Sequence, residues 1–378
     1  MIYLDNAATT ALASEVLEAM LPYMTEHYGN PSSIHALGRK SRAAIEKSRK
    51  TLAQYLNCSI GEIYFTSGGT EATNTAFWGA VHNLNVRHII SSPIEHHCVL
   101  HTLDALKKHN SVQVHYLPLL SNGQPDLNAL EQRLTQLTGQ GKVLVSLMHA
   151  NNEIGNLLPL SIVANICKHH NALFHTDTVQ TFGYFHIDLL DLPIDFITGS
   201  AHKFHGPKGV GFLYINARNK IDPFIQGGSQ ERNMRAGTEN LYGIVGLGAA
   251  TELAYQNLNS DREHITKLKS FMKQQLLEHL PMVTVNGDDD SKTHYKILNV
   301  CFPPDLKADL LLLNLDIAGI CASGGSACSS GVDVGSHVLQ TLNVHPDSVN
   351  IRFSFSKFNT EGELKTTIST LKQILKIE

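Results

Sequence analysis

The residues of this chain best equipped for chemistry lie in a few short stretches. Residues 200–215, SAHKFHGPKGVGFLYI, place Lys203 between His202 and His205, just ahead of Gly206, Pro207 and Gly209. An apolar run, DFIT, precedes the stretch and VGFLYI closes it, so the pattern predicts strand, functional turn, strand. A lysine at a strand end among polar neighbours is placed to form a Schiff base with an aldehyde cofactor; it is also the kind of residue that fills a solvated loop. Residues 321–339, CASGGSACSSGVDVGSHVL, surround Cys328 with small residues only. Such a segment has low helix and strand propensity and high chain entropy. A thiol there could travel and act as a nucleophile, or be incidental to a surface loop.

Three further stretches supply polar groups at predicted strand ends. EIYFTSGGTEATN reads as a strand, a tight turn at Gly68-Gly69, and a helix opening at Thr70. Exposed N–H groups at a helix start, with a hydroxyl and no glycine side chain, suit an anion; the alternative is Thr70 as a plain N-cap. HIISSPIEHH brings His96 to a strand–helix junction, and KVLVSLMHANNEIG ends a buried-type strand at Asn151, Asn152 and Glu153. ALFHTDTVQT closes at Asp177 and Gln180, directly before the Lys203 strand. His97 and His101, four apart, could share a metal, but no third ligand completes a set.

Strands alternating with amphipathic helices predict a mostly parallel α/β sheet, on which ligand groups gather at the carboxyl edge. Residues 15–255 are expected to form a large cofactor-binding domain. Residues 1–14 and 256–378 would form a smaller α/β domain carrying the 321–336 cysteine loop. A formal net charge of -4 gives no argument for nucleic acid or an anionic membrane as partner. Six cysteines form no Cys-x-x-Cys pair. No apolar run reaches membrane-spanning length and MIYLDNAATT lacks a leader pattern, which predicts a cytoplasmic protein.

Taken in order, LDNAATT, GNPSSIH, FTSGGTEATN, EHHCVL, MHANNEIG, HTDTVQ, SAHKFHGPKG, MRAGTEN, SGGSACSSG and IRFSF span essentially the whole chain. Together they resemble the cysteine desulfurases, fold-type I pyridoxal-phosphate enzymes of the class V aminotransferase group, in their longer-loop branch. The resemblance implies that Lys203 holds pyridoxal 5′-phosphate, with Gly69, Thr70, Ser200 and His202 on its phosphate. Asp177 would pair with the pyridine nitrogen, Gln180 and Asn152 with the ring hydroxyl, and His96 would stack on the ring and carry protons. Thr238 would reach the phosphate site of a second subunit, implying a homodimer. Arg352 would clamp the carboxylate of L-cysteine, with Asn152 as a second substrate-binding residue, and Cys328 would take its sulfur as a persulfide, leaving L-alanine. Acceptors would be iron–sulfur scaffold or sulfur-carrier proteins, serving cluster assembly, other sulfur cofactors or tRNA thiolation, and Cys328 could transiently ligate a [2Fe–2S] cluster shared with a scaffold. Thr178, where many members have alanine, is a departure that bears on ring packing. Alternative readings are a selenocysteine lyase or other class V enzyme, or a silent sulfur-trafficking subunit.

Overall fold

A computed structural model describes residues 1–110, 112–306, 308, 310–324 and 336–377. Its strands are β1 (Ile2–Tyr3), β2 (Ile63–Thr66), β3 (Val86–Ser91), β4 (Gln113–Tyr116), β5 (Lys142–Ser146), β6 (Leu173–Asp177), β7 (Phe196–Ser200), β8 (Gly211–Ile215), β9 (Thr284–Asn286), β10 (Ile297–Phe302), β11 (Ile320–Cys321) and β12 (Val349–Ser354). The central sheet runs β2-β8-β7-β6-β5-β3-β4. From β7 through β4 all neighbours are parallel, whereas β8 is antiparallel to both β7 and β2. Lys203 therefore sits in the connection between two antiparallel strands, as the strand–turn–strand pattern predicts.

The sheet is apolar on both faces because each strand alternates between two cores. Ile89, Leu144, Phe196 and Leu213 pack on one side with Phe77. Ile90, Val145, Ile197 and Phe212 pack on the other with residues of helix α2 (Ala36–Leu56), which follows α1 (Ser14–Thr25). Helix α3 (Gly69–His82) starts one residue earlier than the sequence suggests, with Gly68 as its cap residue and no side-chain cap bond. Thr70 is thus not the N-cap. Gly68 adopts φ +155, and a Cβ on Gly211 would lie 2.4 Å from the Gly199 carbonyl oxygen and 2.7 Å from the Gly68 Cα. Only glycine allows the helix start to approach the ends of β7 and β8 this closely.

The two ends of the chain meet. β1 pairs in parallel with β11, and β12 with β9 brackets β10 in an antiparallel sheet. The Asn6 side chain donates to the Ser354 carbonyl at 2.9 Å, and the Ala7 N–H to the Ser354 hydroxyl at 2.8 Å. Among the described residues no helix is long and apolar enough to cross a membrane.

One buried ion pair ties the loop carrying Glu231, Arg232 and Arg235 to this frame. Arg49 on α2 makes a bidentate pair with Glu231 (2.7 and 2.8 Å), and Glu231 also accepts the Phe65 N–H at 2.8 Å. Glu231, Arg232 and Asn233 all have positive φ, a run of backbone strain that these bonds must hold in place. Removing one partner of a buried pair strands the other charge. Glu231→Ala should therefore lose about 3–5 kcal/mol in urea unfolding. Glu231→Gln, which keeps an acceptor for Phe65, should lose less; a loss below about 1 kcal/mol in Glu231→Ala would show that the pair does not hold the loop.

Candidate active site

Ten of the residues singled out in the sequence line one cavity of about 260 Å³: Gly69, Thr70, His96, Asn152, Asp177, Gln180, Ser200, His202, Lys203 and Arg352. They arrive there because β3, β5, β6 and β7 are parallel neighbours whose following loops share one edge. Thr238 lies elsewhere, in a second cavity with Ser67, Gly209 and Arg235. Cys328, with the sulfur-carrying and cluster-ligating roles expected of it, falls outside the described residues. Among the described residues no group of His, Cys, Asp or Glu is arranged to hold a metal; the His97 and His101 rings stand 5.4 Å apart.

Lys203 ends a short turn (Ala201–Lys203), and its Nζ donates to the carbonyls of Ala7 (2.8 Å) and Ala8 (2.6 Å). Thr10 donates twice to the His202 carbonyl, and its hydroxyl accepts the His205 N–H at 2.7 Å. The LDNAATT segment thus straps the lysine turn from outside the sheet. Side-chain identity does not signal where the Lys203 amine is held, because both of these acceptors are main-chain oxygens.

Asp177 at the end of β6 accepts the Val179 N–H at 2.8 Å. Burial pushes its carboxyl up to about 6, against that bond and the nearby Lys203 charge. Burial, then the Lys203 charge, pushes His96 down to about 4. His96 is therefore neutral at pH 7. Its Nδ1 accepts the Cys98 N–H at 3.1 Å, which assigns the ring proton to Nε2. His202 is likewise held down to about 4, chiefly by burial, and its Nδ1 meets the Thr9 hydroxyl at 3.1 Å. The departure at Thr178 resolves simply: its hydroxyl donates to the Thr198 carbonyl at 2.8 Å and is spent inside the sheet.

Arg352, 1% exposed, donates through Nη1 to the Asn152 carbonyl and through Nη2 to Asp5, both at 2.8 Å. Its Nε is buried without a partner among the described residues. Sequence reasoning missed Asp5, which could be found only by knowing that the chain ends meet. It also missed Cys98, whose thiol lines the cavity and is pushed up to about 12, mainly by burial.

The chain matches the aminotransferase class-V family over residues 2–366 and belongs to it. It is 42% identical over 378 residues to the cysteine desulfurase IscS of Dictyoglomus turgidum, covering 99% of this chain and 94% of that one. It is 40% identical over 381 residues to a putative cysteine desulfurase IscS 1 of Bacillus subtilis, covering 99% and 98%. Among solved structures, a NifS-like protein superposes with a TM-score of 0.90 at 36% identity over 99% of both chains. SspA in complex with cysteine superposes with a TM-score of 0.80 at 30% identity, over 95% of this chain and 100% of that one. Within the class-V family this chain is a cysteine desulfurase, and its cofactor is pyridoxal 5′-phosphate.

The lining suits that cofactor. The Gln180 amide donates to the Ala7 carbonyl at 2.9 Å, which leaves Oε1 buried without a partner among the described residues, an acceptor for a ring hydroxyl. Asp177, raised by burial, would be relieved by a protonated ring nitrogen. A Cβ on Gly69 would come within 2.7 Å of Val179, so this helix start stays open only as glycine.

A carboxyl whose folded pKa is raised stabilises the fold only while it is protonated. Its contribution is therefore lost as pH rises from the ordinary aspartate value of 3.8 to about 6. Asp177→Asn should make the cofactor-free protein more stable than the parent at pH 8 by about 2–3 kcal/mol, and equally stable near pH 3. Urea titrations at both pH values check this; no gain at pH 8 would show that Asp177 is already satisfied without cofactor.

Proposed function

We propose that this chain removes sulfur from L-cysteine with the following division of labour. Lys203 carries pyridoxal 5′-phosphate through its Nζ. Gly69, Thr70, Ser200 and His202 hold the phosphate at the start of α3, where N–H groups lack intrahelical partners. Asp177 pairs with the ring nitrogen, Gln180 and Asn152 with the ring hydroxyl, and His96 lies against the ring face. When bound there, the cofactor supplies an electron sink for the substrate's α-carbon.

Arg352 binds the carboxylate of L-cysteine, with the buried Nε available to it alongside an Nη. The amine of Lys203, displaced by the substrate's own amine, takes the Cα proton. His96, neutral with its proton on Nε2, offers an N–H to the reacting sulfur. The thiolate of Cys328 attacks that sulfur: an S–S bond forms and the C–S bond breaks. The electron pair left on Cβ takes a proton and the Lys203 amine returns a proton to Cα, giving L-alanine and a Cys328 persulfide with no external oxidant. The persulfide passes to a scaffold or sulfur-carrier protein in the cytoplasm. A homodimer in which Thr238 of each subunit completes the phosphate site of the other accounts for Thr238 lying apart from the Lys203 cavity of its own chain.

The observation that carries this reading is the convergence of Lys203, Asp177 and Arg352 on one cavity. Visible absorbance of the purified protein before and after L-cysteine, with alanine and sulfide assayed, tests it. A yellow band that shifts with L-cysteine, with both products, is expected. Lys203→Ala should lose the lysine-bound colour. Cys328→Ser should keep the colour and form no persulfide by mass spectrometry; sulfide release at the parent rate from that variant would sink the nucleophile assignment. Gly69→Val should weaken cofactor binding at least tenfold in equilibrium titration, since its side chain would meet Val179. Sedimentation of the parent at micromolar concentration should give twice the chain mass.

A further inference from the structure

At the head of β10, His294 and Lys296 have no part in the division of labour above, yet both grip the main chain of cavity residues. His294 is fully buried. Its Nδ1 accepts the Lys296 N–H at 3.1 Å, which assigns the ring proton to Nε2, and that N–H donates to the Gln180 carbonyl at 2.8 Å. Lys296 is also at 0% exposure. Its Nζ donates to the Lys203 carbonyl at 3.3 Å and stands 4.0 Å from the centre of the Tyr184 ring. The Tyr184 hydroxyl donates to the same carbonyl at 2.9 Å, and the Tyr295 hydroxyl holds the Tyr184 carbonyl at 2.9 Å. One carbonyl oxygen, belonging to the residue whose amine does the chemistry, thus receives two side-chain donors.

A buried lysine is an expensive way to fill this space, and an apolar side chain of similar volume would stabilise the fold at least as well. Burial, with the Lys203 and Arg352 charges nearby, holds the Lys296 amine well below the ordinary lysine value, and in either protonation state it remains an N–H donor. At the other end of the same residue, the Lys203 Nζ is held by the Ala7 and Ala8 carbonyls. Lys203 must trade one bonding partner for another in every turnover. Its main chain therefore needs a reference point that does not move with the amine.

We propose that Lys296 is a positioning residue for sulfur removal: together with Tyr184 it fixes the Lys203 carbonyl, so that the amine moves by side-chain rotation about a stationary backbone. Misplacement of a reacting group by about 1 Å can cost on the order of a hundredfold in rate, so losing one of two anchors should be felt in turnover rather than in substrate binding. This role presupposes that Lys203 carries the cofactor.

The test compares Lys296→Met, which keeps the packing volume without a donor, with Lys296→Gln, which restores an N–H donor. Amide exchange of the peptide spanning residues 200–206, read by mass spectrometry on the cofactor-free proteins, should rise several-fold in Lys296→Met and stay near the parent in Lys296→Gln. With cofactor bound, Lys296→Met should keep the parent absorbance and a KM within about threefold, while kcat and the stopped-flow colour change with L-cysteine fall about tenfold or more. Lys296→Gln should recover both rates to within a few-fold. Parent rates in Lys296→Met, or a Lys296→Gln as slow as Lys296→Met, overturn the role. If Lys296→Met does not fold, Tyr184→Phe, which removes the other donor, must slow the colour change; parent speed there overturns it equally. A Lys203→Ala protein that keeps the lysine-bound colour would instead sink the Lys203 assignment, independently of Lys296.

Discussion

A charge withdrawn from water must find an opposite charge or be neutralised by gaining or losing a proton, and the cavity is organised around that constraint. Asp177 is buried, and desolvation of its carboxylate raises it to about 6. The histidines nearby obey the same rule in the other direction: His96 and His202 are both held to about 4, chiefly by burial. They donate and accept without adding charge. Beside them stand Lys203, whose amine donates to two carbonyl oxygens, and Arg352, paired with Asp5. A cofactor bound as proposed, with a protonated ring nitrogen at Asp177 and an anionic phosphate at the start of α3, would offset the cost of burying that carboxyl.

The first residues of the chain make that arrangement geometrically possible. Asp5 fixes Arg352, Ala7 and Ala8 receive the Lys203 amine, Ala7 also receives the Gln180 amide, and Thr9 and Thr10 reach His202 and His205. One short peptide therefore registers the proposed substrate-carboxylate site against the proposed cofactor lysine. It is itself held by Ser354 on β12 and by the β1–β11 pairing. His294 and Lys296 act from the other side, on the carbonyls of Gln180 and Lys203. Both supports come from parts of the chain remote in sequence from the sheet, so the position of the lysine is set by long-range closure of the fold.

This explains what could and could not be read from the sequence. Apolar runs such as HIIS and KVLVS, buried on both faces, announced parallel strands, and the polar residues just after them announced a shared edge. Side chains that act as themselves, Lys203, Asp177, Gln180 and Arg352, were therefore visible by type and position. The carbonyls of Ala7 and Ala8 were not, because every residue owns one and only the fold aims it. The helix starts one residue early because Gly68, with its φ of +155, is the cap residue and offers no side-chain cap, so Thr70 lies inside the first turn. Lys296 was hidden because HYKIL reads as an ordinary strand entry, and a fully buried lysine breaks the rule by which charged residues are assigned to the surface.

The thiols divide along the same electrostatic line. Cys98 lines the cavity itself, but burial pushes it up to about 12, with the nearby Asp177 charge contributing. A thiol kept protonated to that degree is a poor nucleophile toward the substrate's sulfur however close it lies. The proposed reaction therefore needs a thiolate from outside the buried lining. The two described flanks of the Cys328 segment are tied to that lining. Ser323 exchanges main-chain bonds with Arg352 at 2.7 and 3.3 Å, and the Ser336 hydroxyl donates to the buried carboxyl of Glu153, next to Asn152 in the chain. The chain thus ties both flanks of its candidate sulfur acceptor to the residues proposed to bind the substrate, while the thiol already inside the cavity is kept chemically quiet by its burial.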